Sequence, residues 1–275
     1  MAETAVMEPP VTTATNPDDI GFDRELGMML AKVPLTAVLW AGLAWVASLA
    51  WGEWVPLNAE HPLPNCGALL VICGGMILAA WIDGYYFKVP NWLTLSLVVG
   101  GWYLGALHDL GYATQTGTGG IGQALFVTFL GFVALFPALA IGGMGQGDVK
   151  MTMGFGSWMG AYFGAAATSP IAVLFGEGAG MSGAGTLWWS FAIGVIIGGI
   201  FGLVMMAVRR QFHKNIANYR AIAMDLQALM TEGPAKCAER ANSRRKDWVR
   251  LPYGVPLCVG FLGYLWLTII LGFRF

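Results

Sequence analysis

Charge is what this chain most lacks. Only 11% of its 275 residues are Asp, Glu, Lys or Arg, against roughly 25% in an ordinary soluble domain. With 56% hydrophobic residues and a mean hydropathy of +0.62, the composition excludes a water-soluble globule and indicates an integral membrane protein. Cysteine is also scarce. Cys66, Cys73, Cys237 and Cys258 are scattered with no CxxC spacing, which argues against a structural zinc module or a disulfide framework and leaves buried packing thiols. His61, His108 and His213 show no HxxxH spacing, so no histidine-based metal site is expected. Neither a GxSxG motif nor a cysteine with a nearby histidine is present, and serine and cysteine hydrolase readings lack their parts. Residues 1–33 lack the basic start of a signal peptide. Their first ~20 residues are polar and read as disordered, and Phe22 to Lys32 reads either as a short stretch at the membrane surface or as part of a soluble targeting arm.

Long apolar runs are abundant. At about 20 residues per crossing, spans are expected at roughly 34–55, 66–83, 92–107, 121–142, 151–168, 187–208 and 252–272. The expected fold is therefore all-α, a polytopic membrane bundle of about seven transmembrane helices. Gly-rich stretches at 117–122 and 176–185, and Pro56, Pro62 and Pro64, mark turns. Basic residues set the orientation. With a cytoplasmic N-terminus, Arg24, Lys32, Lys88, Lys150 and the ten basic residues in 209–250 all lie inside, and of 15 only Arg274 falls outside. The chain then divides into a cytoplasmic tail at 1–33, an extra N-terminal helix with its outer loop at 34–65, and a membrane domain at 66–275. Within the last, segment 209–250 carries Phe212, Ile216, Tyr219, Met224 and Leu226 at near-helical spacing. It reads either as an amphipathic helix on the inner leaflet, suited to membrane lipids, or as a solvated linker. Nothing in the sequence suggests nucleic acid as a partner.

Two acids stand out. Asp148 ends the glycine-rich stretch Gly143-Met144-Gly145-Gln146-Gly147-Asp148 between two apolar runs, and Asp83 lies at the end of another. Ionisable groups at membrane depth are costly and usually functional. The derived topology puts both on the cytoplasmic side. Two carboxyls held together tend to share one proton. The ionised one takes a proton from water while the other donates to a scissile carbonyl, so an amide can be hydrolysed with neither metal nor cofactor. Simpler roles also fit these residues. Asp83 would end a helix and pair with Lys88, and Asp148 would be the N-cap of the fifth helix. Lys88 and Lys150 are expected to face headgroups, since a cation pointing inward would oppose proton sharing. Asp109 and Glu177 read as residues of solvated outer loops.

Three segments then resemble the type IV prepilin peptidases, membrane aspartic proteases of the GxGD class. They are Asp83 with the following Val89-Pro90-Asn91-Trp92-Leu93-Thr94, then Gly145-Gln146-Gly147-Asp148-Val149-Lys150, and Pro252-Tyr253-Gly254. The resemblance spans roughly 66 to 272. It implies that Asp83 and Asp148 are the catalytic pair and that Gly145, Gly147 and Lys150 shape the active loop. Pro90, Asn91, Pro252 and Tyr253 would support the site or the substrate. It implies an enzyme of the bacterial inner membrane that cuts a short basic leader from pilin-like precursors at the cytoplasmic face, with pilus assembly machinery as a further partner. The paired CxxC region of the larger, methylating members is missing, so the short cleavage-only type of tight-adherence (Flp) pilus systems is nearer. An ion- or proton-coupled transporter using the same acids remains the rival class. A presenilin-like or signal-peptide-peptidase-like protease is another, although such a protease would want Pro-Ala-Leu where this chain has Leu251-Pro252-Tyr253.

Overall fold

The computed structural model describes residues 24–54, 65–140, 144–164, 182–208, 224 and 252–271. The expected disordered tail, the turn prolines, Glu177, His61, His213, Cys237 and all of segment 209–250 except Met224 lie outside the described residues.

Seven α-helices are found among them, and no strand. They are α1 (Arg24–Trp54), α2 (Gly67–Tyr86), α3 (Asn91–Asp109), α4 (Ile121–Ala140), α5 (Gln146–Phe163), α6 (Gly183–Val208) and α7 (Gly254–Leu271), with a single 3-10 turn at Thr114–Thr116. Four stretches, Met29–Glu53, Gly67–Tyr86, Thr114–Ala140 and Gly183–Met205, are long and apolar enough to cross a bilayer. The protein is a polytopic helical membrane protein.

Where the helices differ from the apolar runs, local chemistry accounts for it. α1 extends back to Arg24, so residues 24–32 continue the first helix. α5 starts five residues before the apolar run at 151, because Gly145 takes extended N-cap geometry (φ −77°, ψ 148°) and the polar Gln-Gly-Asp that follows is its first turn. α2 stops where Phe87 turns left-handed (φ 52°) and its N–H returns to the Asp83 carbonyl at 2.8 Å. Pro90, with φ −69°, then serves as N-cap of α3, as the fixed φ of proline favours at a helix start.

α5 is the axis of the bundle. It packs against α3, α4 and α6, with lesser contacts to α2 and α7, and twelve of its eighteen residues are buried. Its glycines permit this. A Cβ at Gly156 would lie 2.7 Å from the Val127 carbonyl oxygen of α4, and one at Gly154 3.4 Å from Leu97 of α3. Small residues at such crossings let helix backbones approach where lipid provides no hydrophobic drive between helices. Trp158 Nε1 donates to the Leu97 carbonyl at 2.8 Å, Trp102 Nε1 of α3 to Thr128 Oγ1 of α4 at 3.0 Å, and the rings of Phe155 and Phe261 stack with centroids 4.5 Å apart. Cys66, Cys73 and Cys258 are buried thiols.

The bundle has two distinct ends. At one, Asn65 Nδ2 donates to the Ser48 carbonyl of α1 (2.8 Å) and Tyr162 Oη donates to the Asn65 carbonyl (2.6 Å). His108 there bonds through Nδ1 with the Gly119 carbonyl (2.7 Å) and through Nε2 with Thr116 Oγ1 (2.6 Å). Asp109 is no mere loop residue: its Oδ2 accepts the Ile121 N–H at 2.9 Å and caps α4. The opposite end holds the close of α2 and the starts of α1, α3, α5 and α7.

Candidate active site

Both acids of interest lie at that second end. Asp83 sits in the last turn of α2, four residues before Phe87, and is 7% exposed; Asp148 is 6% exposed. Asp148 is not the N-cap of α5. Gly145 is, which makes Asp148 the third helical residue. An acid there can reach back to the N-cap amide, half of a capping box, and Asp148 Oδ2 does turn back to Gly145, 3.2 Å from a Cβ placed on it. Asp148 also interacts electrostatically with Asp83. Two carboxyls 65 residues apart in the chain are thus brought within charge–charge reach, each in a buried setting.

Each acid is held from a different helix start. Asp83 Oδ2 accepts the N–H of Gly254, the first residue of α7, at 3.0 Å. A Cβ on Gly254 would lie 2.8 Å from that oxygen and 3.1 Å from Asp83 Cβ and Cγ. Only glycine fits so close an approach. Asp148 lies close to the start of its own helix, where a Cβ on Gly145 would be 3.2 Å from its Oδ2.

The other residues singled out from the sequence divide. Gly147 faces Val89: a Cβ there would lie 3.4 Å from Val89 Cβ and Cγ2. Val89 is buried, and Pro90 and Asn91 follow it into α3. Lys150 does not face headgroups as expected: its Nζ donates to Asn91 Oδ1 at 2.7 Å. Lys88 is exposed. The Pro252 carbonyl accepts the Val255 N–H at 3.3 Å, and Tyr253 packs its ring against Gly198 of α6, 3.5 Å from a Cβ placed there. Those two residues shape the start of α7, and Gly254, next to them, reaches Asp83. Its signal in the sequence was the third position of Pro-Tyr-Gly. Val89 was marked only by its place before proline.

A rim of exposed aromatics lines this end where α2 closes and α3 begins. Trp81, Tyr85, Tyr86, Phe87 and Trp92 all lie within ten residues of Asp83, Tyr86 being 76% exposed, and the Trp81 and Tyr85 rings are 5.2 Å apart. Trp and Tyr concentrate at membrane–water boundaries. Among the described residues, no group of three or more His, Cys, Asp or Glu is arranged to hold a metal ion.

Helical bundle, membrane-spanning stretches and a buried acid pair at one end together define a polytopic membrane protein with a two-carboxylate site. The family behind it is shown by comparison. Residues 70–206 match the model of the type IV leader peptidase family, and the chain belongs to that family. The matched stretch contains Asp83, the Val-Pro-Asn turn and the GxGD segment, whereas α7 with Gly254 lies beyond it. No curated protein and no solved structure matches the chain significantly. Its general function is that of a type IV leader peptidase.

Proposed function

We propose that this chain is an aspartic endopeptidase that cuts the short basic leader from type IV pilin-like precursors, with Asp83 and Asp148 as the catalytic pair. One observation carries the proposal: two buried carboxyls, from the end of α2 and the start of α5, interact at one end of the bundle. In the reaction one acid is ionised and takes a proton from water. The other donates its proton to the scissile carbonyl oxygen as the water oxygen adds to the carbon, and collapse of the tetrahedral species expels the amine. No covalent acyl intermediate forms. The Gly254 backbone amide holds Asp83, and Gly145 lies close against Asp148, without either supplying a competing acid or base.

The site faces the cytoplasm in this reading. Lys32, Lys88 and Lys150 lie toward the same end as the acids, which the positive-inside bias assigns to the inner face. The aromatic rim supports a depth near the headgroups, where a precursor's basic leader meets its apolar helix. Cleavage without methyl transfer, as in the tight-adherence type, fits a sequence without paired CxxC motifs. Pilus assembly machinery is the expected downstream partner. A transporter reading gains no support from acids placed at helix ends rather than mid-helix.

Co-expression with a pilin-like precursor tests this. Wild type should shorten the precursor by its leader, and Asp83→Asn and Asp148→Asn should each leave it intact while still accumulating in the membrane. Normal processing by either variant removes that acid from the mechanism.

A further inference from the structure

Asp83 and Asp148 belong to different helices, and little of the chemistry described so far fixes their separation. The turn after α2 supplies the missing tie. Beyond the left-handed Phe87, the chain passes through buried Val89 and Pro90 to Asn91, the first residue of α3. This turn touches the first turn of α5 twice. Val89 packs on Gly147, and Asn91 Oδ1 accepts Lys150 Nζ at 2.7 Å in a half-buried setting. An ammonium only donates, so the Asn91 amide must present its oxygen, and a bond with a charged donor is among the stronger kinds.

Helical geometry explains how a lysine can sit two residues from Asp148 without disturbing it. At 3.6 residues per turn, positions i and i+2 point about 200° apart. The carboxyl of Asp148 turns back toward Gly145, while Lys150 turns toward α3. The cation is engaged as a tether and is directed away from the acid pair.

We propose that Lys150 and Asn91 form a clasp that fixes the α2–α3 turn to the start of α5 and thereby sets the spacing of the two acids. Both are positioning residues. The inference deepens the peptidase reading, and its kinetic part rests on it, while its structural part does not.

The test uses the full chain in nanodiscs, with Lys150→Met, Asn91→Leu, the double variant, and the exchanged pair Asn91→Lys/Lys150→Asn. Hydrogen–deuterium exchange is followed over 84–93 and 145–152, and steady-state cleavage of a pilin-like precursor is measured alongside. Each single variant should speed exchange in both segments, its partner's included, and lower kcat by about ten- to a hundredfold with KM little changed. The double variant should be no worse than the worse single, because one interaction is lost either way. The exchanged pair should recover a large part of the rate. Multiplicative losses in the double, a rise in KM alone for Lys150→Met, or exchange that stays local to the altered residue would each overturn the clasp. Coupled exchange in a chain whose wild type cleaves nothing would support the clasp and overturn the peptidase reading instead.

Discussion

Single atoms decide the most at Gly254. Its N–H holds Asp83, and its missing Cβ makes room for the carboxyl. Gly254→Ala forces a contact of 2.8 Å against Asp83 Oδ2, so either the acid or the start of α7 must move. Gly147→Ala asks for much less, since its new methyl would meet Val89 at 3.4 Å. Misplacing a reacting group by about 1 Å can cost on the order of a hundredfold in rate. Gly254→Ala is therefore expected to lower kcat by about that much, and Gly147→Ala by less than about tenfold, both with near-normal accumulation. Equal rates for the two variants would show that the Gly254 contact does not govern the site. Sequence reasoning found the glycines of GxGD because they cluster beside an acid. It marked Gly254 only as the third residue of Pro-Tyr-Gly and gave it no role, since nothing in the order of residues shows that a position 171 residues from Asp83 will touch it.

Among the elements, α5 carries the organisation of the molecule. Trp158 lies 2% exposed at its centre and bonds the Leu97 carbonyl. Trp158→Phe removes that donor, and although Ser157 Oγ still reaches the same carbonyl at 3.4 Å, the loss of the interhelical hydrogen bond costs about 0.5–1.5 kcal/mol. Thermal unfolding in detergent should come at lower temperature, while cleavage at a permissive temperature persists; unchanged unfolding would deny α5 its central place. The same helix shows why hydropathy gave its limits poorly. α5 is enclosed by other helices rather than lipid, so it tolerates Thr152 and Ser157, whose hydroxyls bond carbonyls within the helix (3.0 Å to Asp148 O, 2.8 Å to Gly154 O). Its apolar signal is diluted, and its polar first turn reads as loop. α2, α4 and α6 kept strong apolar runs and were legible as elements. The Asn91–Lys150 bond was not: the lysine was expected at the membrane surface because a sequence records its charge and not the acceptor waiting 59 residues away.

At the scale of the whole molecule, a set of seven helices was readable from apolar length, and the location of Asp83 and Asp148 at one end of the bundle from the alternation of those spans. What no periodicity reports is that α1, outside the matched family region, is built into the bundle. It packs on α2 and α3, and Asn65 ties the start of α2 to its Ser48 carbonyl. Orientation has its own check. A cysteine in place of exposed Lys88 should react with a membrane-impermeant maleimide only in inverted vesicles, and one in place of exposed Tyr112, at the other end, only in intact cells or spheroplasts. The reverse pattern would turn the acids away from the cytoplasm and from the precursors proposed for them. The central claim is that the two acids act as one unit, and rates from purified Asp83→Asn, Asp148→Asn and the double variant test it most directly. All three should fall to the same residual level, since either loss disables the pair. A double variant slower than both singles by the product of their effects, or a single variant close to wild type, would contradict the account.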